Sequence, residues 1–311
     1  MFVKNVSFPE YPFKSHFLSV NGQQMHFLDE GDSGAPPVVM VHGNPTWSFF
    51  FRKAVLALRG SYRCIVPDHI GMGLSGKPPQ AAYGYRLHNR IDDLQALLEQ
   101  LGIRERIILL LHDWGGMIGM GYAGRQPQRI AAVVILNSAA FQAPADAPLP
   151  WQLRLARSVL GPLLVQGLNA FCRGARNNCV VRAPLDPRVR HAYLAPYNNW
   201  HNRLAVLRFV QDIPLTPQEP SYDVVTQVDR GLVKLKKIPM CLCWGMQDFV
   251  FNPGFLEQWR ARFPDAEVHT FANAGHYLLE DAADEVIPII RKFLKRAPLN
   301  KNEYKQVARE A

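Results

Sequence analysis

Apolar residues along this chain fall in short blocks separated by longer amphipathic stretches. The blocks lie near residues 16–20, 24–29, 37–41, 62–67, 106–112, 130–137, 239–245 and 266–271. Several of them, such as Arg106 to Leu111 and Met240 to Trp244, are almost continuously apolar, the signature of strands buried on both faces. Helical spacing occupies most of the gaps. Asn89 to Leu101, for example, sets Ile91, Leu94, Leu97 and Leu98 on one stripe. This alternation predicts an α/β fold, an eight-stranded and mostly parallel sheet covered by helices. The stretch from Asn137 to Pro239 is too long for one crossover. We therefore expect a core over 1–140, an inserted helical cap over 141–225, a second core segment over 226–296 and a polar tail over 297–311. A chain of 311 residues is long enough for that arrangement.

One junction carries the chemistry. The apolar run ending at Leu111 is followed by His112-Asp113-Trp114-Gly115-Gly116, and Gly115 to Arg125 then reads as a helix closed by Pro127. A sharp strand-to-helix turn here would lift side chain 113 to the C-terminal edge of the sheet, where α/β enzymes keep their reactive groups. Such elbows usually carry serine, which forms acyl esters. A carboxylate instead displaces a leaving group at carbon or opens a strained ring, becoming an ester of the enzyme. Asp is also a good helix N-cap, and Asp113 alone would be read that way. Its company changes the reading. Enzymes built on this elbow order nucleophile, acid and histidine along the chain. Asp248 follows the strand Met240 to Trp244, and His276 follows the strand Val268 to Phe271. The strand from Ala131 ends in Asn137, which is no carboxylate, so Asp248 is the natural orienting acid.

The strand Pro37 to Val41 runs into His42-Gly43-Asn44-Pro45, the loop that supplies the second oxyanion donor in this kind of site. The first is the backbone N–H of the residue after the nucleophile, Trp114. The Asn44 amide and the Trp114 indole N–H would be two neutral donors in an apolar pocket, suited to a halide or a carboxylate oxygen. His42 reads as a structural hydrogen-bonder. Gly71-Met72-Gly73-Leu74-Ser75-Gly76 matches a dinucleotide fingerprint, but Lys77-Pro78-Pro79 follows it where a helix would have to open. We expect no nucleotide, and no metal, since no clustered Cys/His spacing occurs.

Charge and cysteine content narrow the setting. Lys and Arg number 35 against 26 Asp and Glu, and the basic residues look scattered apart from Val233 to Lys237 and the tail after Lys292. That suits a solvated face, with no nucleic-acid motif present. Five cysteines, with Cys241 and Cys243 in one strand, fit a reducing compartment. Neither a signal peptide nor a membrane-length apolar run is evident, so we expect a soluble cytoplasmic protein. The apolar stretch Trp151 to Phe171 could pack against the core or line a channel for alkyl chains; periodicity does not separate the two.

His42-Gly43-Asn44-Pro45, Asp68-His69-Ile70-Gly71-Met72-Gly73-Leu74-Ser75 and His112-Asp113-Trp114-Gly115-Gly116 resemble the haloalkane dehalogenase family of α/β-hydrolases. The resemblance covers about residues 20 to 296. It implies Asp113 as nucleophile, His276 as base, Asp248 as acid, and Asn44 with Trp114 as the leaving-group pair. Some branches place the acid where Asn137 sits. With Asp248 instead, and in its N-terminal half, the chain is similar to the branch holding the β-lactone decarboxylases of bacterial long-chain olefin biosynthesis. One departure is Leu111, where a small residue is usual. The expected reaction is conversion of a dialkyl β-lactone to a cis-alkene and CO2, in association with neighbouring pathway enzymes. Alternatives are alkyl halide hydrolysis, epoxide hydrolysis assisted by Tyr193, Tyr197 or Tyr222, and a silent scaffold.

Overall fold

Eight strands form one sheet in the order β1-β2-β4-β3-β5-β6-β7-β8. They are β1 (His16–Val20), β2 (Gln23–Glu30), β3 (Pro37–Val41), β4 (Arg63–Pro67), β5 (Ile107–Asp113), β6 (Ile130–Ser138), β7 (Met240–Gly245) and β8 (Glu267–Phe271). This is a computed structural model, and it describes residues 7–144 and 148–297. The tail anticipated from 297 therefore lies, beyond Ala297, outside the described residues. β1 pairs antiparallel with β2 and β2 antiparallel with β4, while every later pairing is parallel.

Every residue of β3, β5, β6 and β7 is buried, which is why those segments read as continuous apolar runs. The edge strand β8 alternates more weakly and is only partly covered. Helices Leu87–Gln100 and Trp114–Arg125 pack together on one face, and Arg52–Leu58 packs with Ala283–Leu294.

Between β6 and β7 the chain makes the helices Trp151–Arg157, Ala170–Asn178, Pro187–Leu194 and Leu204–Gln211, with a wider turn at Pro162–Gly167. Arg157 ties this insertion together. Its guanidinium donates to the carbonyls of Val210 (3.1 Å), Gln211 (3.2 Å) and Ile213 (2.5 Å) and pairs with Glu219. The helix Tyr222–Gly231, which follows, packs on Trp114–Arg125. Among the described residues no helix is long and apolar enough to cross a membrane.

Candidate active site

Asp113 ends β5 with φ 53° and ψ −129°, a left-handed conformation that L side chains adopt only when their surroundings impose it. The strain turns the carboxylate away from the helix it precedes. No side-chain cap bond forms, so the N-cap role is not what this Asp does. Its Oδ1 instead accepts the backbone N–H of Asn44 at 2.6 Å. The close approach requires glycines. A Cβ at Gly43 would lie 1.9 Å from Asp113 Oδ1, and one at Gly115 would lie 1.9 Å from the Val41 carbonyl oxygen. From behind, Ser138 Oγ donates to the Asp113 carbonyl at 2.5 Å.

Leu111 is accommodated by a glycine in the second turn of the helix Trp114–Arg125. Gly119 faces it, and a Cβ there would come within 2.4 Å of Leu111 Cδ2. The bulk that departs from the usual elbow pattern on the strand is thus offset by missing bulk on the helix.

The three residues named as a set come together at the C-terminal edge of the sheet. His276 Nε2 lies 3.5 Å from Asp113 Oδ2, and His276 Nδ1 lies 2.7 Å from Asp248 Oδ2. Asp248 is held in turn by the N–H groups of Val250 (2.7 Å) and Phe251 (3.0 Å), both donating to Oδ1. With Nδ1–H directed at Asp248, the Nε2 of His276 is left to exchange a proton near Asp113. Burial pushes the Asp113 carboxyl up, a shift moderated by His276 and by the amides of Trp114 and Asn44. Burial alone would push His276 down; the charges of Asp248 and Asp113 outweigh it and hold the imidazole above its ordinary value.

Asn44 sits at the cavity beside Asp113, and its side chain is already fixed. Nδ2 donates to the Val206 carbonyl at 3.1 Å, leaving one amide hydrogen, while the buried Oδ1 has no partner. Trp114 lines the same cavity with its ring against Phe209 at 5.5 Å. The His42 imidazole is occupied by backbone groups of its own and the neighbouring loop. Its Nδ1 bonds the Gly43 carbonyl (2.8 Å) and its Nε2 accepts the His69 N–H (3.2 Å).

Other residues of the site gave little signal in the sequence. Asn137, seen there only as a missing carboxylate, clamps the end of β7. Its Oδ1 accepts the Gly245 N–H at 2.8 Å and its Nδ2 donates to the Gly245 carbonyl at 3.0 Å. Asp281 accepts the N–H groups of Gly275 (2.7 Å), Val181 (3.0 Å) and Arg182 (3.0 Å), joining the histidine loop to the insertion. His112 donates Nε2–H to the His276 carbonyl at 2.9 Å and stacks on Phe50; burial holds it far below its ordinary pKa and so neutral. The glycine loop 71–76 wraps a carboxylate of its own chain. Asp68 accepts the amides of Ser48 (2.6 Å) and Leu74 (2.7 Å), and a Cβ at Gly73 would lie 2.1 Å from Asp68 Oδ2.

A cavity of about 550 Å³ opens from Asp113 and His276 under the insertion. Its walls are mainly apolar, with Met117, Phe141, Leu153, Val165, Phe171 and Phe251 among them. No tyrosine lines it among the described residues. Tyr193 OH is directed at Glu280 (2.5 Å) and Tyr197 OH at the Thr46 carbonyl (3.0 Å). Among the described residues no cluster of His, Cys, Asp and Glu is arranged to hold a metal ion.

The α/β-hydrolase fold model matches residues 36–283. A protein of Shewanella oneidensis named cis-3-alkyl-4-alkyloxetan-2-one decarboxylase is 54% identical over 91% of this chain and 89% of its own length. A Xanthomonas campestris protein of the same name is 44% identical over 94% of this chain and all of its own. Haloalkane dehalogenase 2 of Mycobacterium tuberculosis is 31% identical over 91% of this chain and 96% of its own. Among solved structures, a haloalkane dehalogenase of Bradyrhizobium elkani superposes with a TM-score of 0.80 at 26% identity, covering 91% of this chain and 98% of that one. With an elbow at the end of β5, an acid after β7 and a histidine after β8, this chain belongs to the α/β-hydrolase fold family.

Proposed function

We propose that the protein converts a dialkyl β-lactone to a long-chain cis-alkene and CO2, with Asp113 as nucleophile, His276 as proton-transfer group and Asp248 as its orienting acid. The observation that carries this reading is a buried aspartate at the elbow, facing an apolar cavity, in a chain 54% identical to a protein named as such a decarboxylase. Asp113 attacks the strained four-membered ring. Attack at the ring carbon makes an alkyl ester and frees a carboxylate; attack at the carbonyl makes a mixed anhydride and frees an alkoxide. The new anion falls to the remaining Asn44 amide hydrogen and the Trp114 indole. From the alkyl ester, cleavage of the bond between the α-carbon and the freed carboxylate leaves its electron pair in the new C=C bond as the Asp113 carboxylate departs. The mixed anhydride has no such path, because its alkoxide oxygen would have to leave as oxide, and it can only close back to the lactone. Asp113 is regenerated, and no water enters the products.

The residues 141–225 act in this reading as a cap whose inner wall receives the alkyl chains. Alkyl halide hydrolysis is the second reading, favoured by the 31% identical relative and the superposed dehalogenase. There Asp113 displaces halide in line and His276 activates water against the ester. Epoxide opening calls for a cap hydroxyl on the substrate oxygen, and the hydroxyls of Tyr193 and Tyr197 are turned elsewhere.

The test is product analysis of the purified protein with a cis-dialkyl β-lactone and, separately, with bromo- and chloroalkanes. Alkene from the lactone, detected by gas chromatography, supports the decarboxylase and makes any halide release a side activity. Efficient halide and alcohol formation without alkene overturns it in favour of the dehalogenase.

A further inference from the structure

The insertion over 141–225 is rich in arginine, with nine against five acids and no lysine. Residues 148–211 hold nine arginines and a single acid, Asp186, against a formal net charge of +9 for the whole chain. Half of the large apolar side chains that stand exposed among the described residues also fall here, between Trp151 and Leu168. Val159 is 95% exposed, Trp151 63% and Leu163 56%. They form a surface, not scattered points. Trp151, Arg154 and Leu155 share one helix face at i, i+3 and i+4 spacing, and Leu163 and Trp200 flank Gly167, each within 3.5 Å of where its Cβ would lie. Arg154 stands on that helix face and Arg173 on the helix Ala170–Asn178, both exposed and with no acidic partner among the described residues. Trp151, Leu155, Leu215 and Phe249 are exposed and also line the cavity, so the outer apolar surface is continuous with the interior that reaches Asp113.

We propose that this face of the insertion docks on an anionic lipid bilayer and presents the cavity mouth to its hydrocarbon phase. A patch of this kind on a monomer marks an interaction site. Exposed tryptophans beside arginines match the interfacial layer of a membrane, where the rings sit at headgroup depth and guanidinium groups meet anionic headgroups. Among the described residues no helix is long and apolar enough to span, and the docking proposed is of the peripheral, reversible kind. That docking also delivers substrate rests on the alkyl-lactone reading above, since such a molecule partitions into lipid; the docking itself does not.

The full-length protein is centrifuged with vesicles of phosphatidylglycerol and phosphatidylcholine in equal parts, and with phosphatidylcholine vesicles alone. The expected result is at least tenfold stronger partitioning onto the anionic vesicles, weakening as salt is raised. Val159→Asp/Leu163→Asp and, separately, Arg154→Glu/Arg173→Glu each lose that binding tenfold or more, with melting temperatures unchanged. Equal partitioning onto both vesicle types overturns the proposal, as does anionic binding that survives both variants. Self-association by light scattering that Val159→Asp/Leu163→Asp abolishes, without vesicle binding, assigns the face to a second copy instead. Protein that binds vesicles as described yet makes no alkene retains the docking surface and refutes the lactone reading.

Discussion

At the scale of single residues, the site is a set of opposed demands on two ionisable groups. Burial favours the neutral Asp113 carboxyl, while the proposed nucleophilic attack needs its anion. The acid limb of the rate profile therefore lies above the ordinary carboxylate value, and the rate falls as pH is lowered through it. A carboxyl whose folded pKa is raised opposes folding once pH exceeds its unfolded value. Asp113→Asn is thus expected to raise the melting temperature at neutral pH while removing turnover, measurable by calorimetry on the two proteins. His276 runs the other way. Its folded pKa is raised by Asp248 and Asp113 against the effect of burial, so its contribution to stability is fully present below about 6.5 and lost as pH rises through the folded value. Asp248→Asn removes much of that rise. Its melting temperature is expected to change less than that of the wild type across this window, and equal slopes would contradict the assignment.

Gly43 gives a sharper test of geometry, because its missing Cβ leaves room for Asp113 Oδ1. Gly43→Ala has to displace the carboxylate by more than 1 Å. A shift of that size costs about 100-fold in rate, to be read from initial alkene formation. The meeting of Asp113, Asp248 and His276 was legible in the sequence because each lies at or just after the end of an apolar run, at one edge of the sheet. Asn137 was legible only as something missing, and its clamp on Gly245 could not be read, since a hydrogen bond between adjacent strand ends leaves no periodic trace. For Asn44, the backbone N–H proves to be the group bound to Asp113 and the side chain is partly spent on Val206, a division of labour that residue type does not encode.

Among the elements, the strand pattern transferred with shifts of at most one residue at either end; for the central strands, burial on both faces leaves few choices of side chain. Where β5 meets the elbow helix, the sequence showed an anomaly at Leu111 without its resolution at Gly119, since the pairing needs three dimensions. Gly119→Ala drives a Cβ into Leu111 and is expected to cost about 1–3 kcal/mol by overpacking. Leu111→Ala on that background should recover part of the loss, so a double-mutant cycle by urea denaturation will show coupling of opposite sign to the single effect. Additive costs would mean that the two side chains relax independently.

Over the whole molecule, helix Ala170–Asn178 forms one wall of the cavity that the alkyl chains would enter in the proposed reaction. Gly174 lines the cavity, and a Cβ there would meet only Asn178 Nδ2 at 3.9 Å. Gly174→Leu should fill space rather than strain the backbone. Replacing a helical glycine is expected to stabilise the fold by roughly 0.5–1 kcal/mol, while kcat/KM for a long-chain lactone falls at least tenfold and that for a short-chain one holds. Competition assays across a chain-length series read this directly. The sequence left open whether the apolar stretch after Trp151 packs or lines a channel. In the structure it does both: Leu153, Leu155, Leu164 and Val165 line the cavity, Leu153 and Val165 being buried as well, while Val159 and Leu160 face outward. The arginines looked scattered along the chain, and their excess over acids in the insertion emerges only when residues are counted by structural segment.

The central claim is that the carboxylate at 113 performs the covalent step on a β-lactone. The most direct measurement is the initial rate of alkene formation from one cis-dialkyl β-lactone by the wild type and by Asp113→Asn, with circular dichroism confirming that both are folded. The account predicts alkene from the wild type and a loss of at least about 10³-fold in the variant. Alkene formation by Asp113→Asn at a rate near that of the wild type would contradict it.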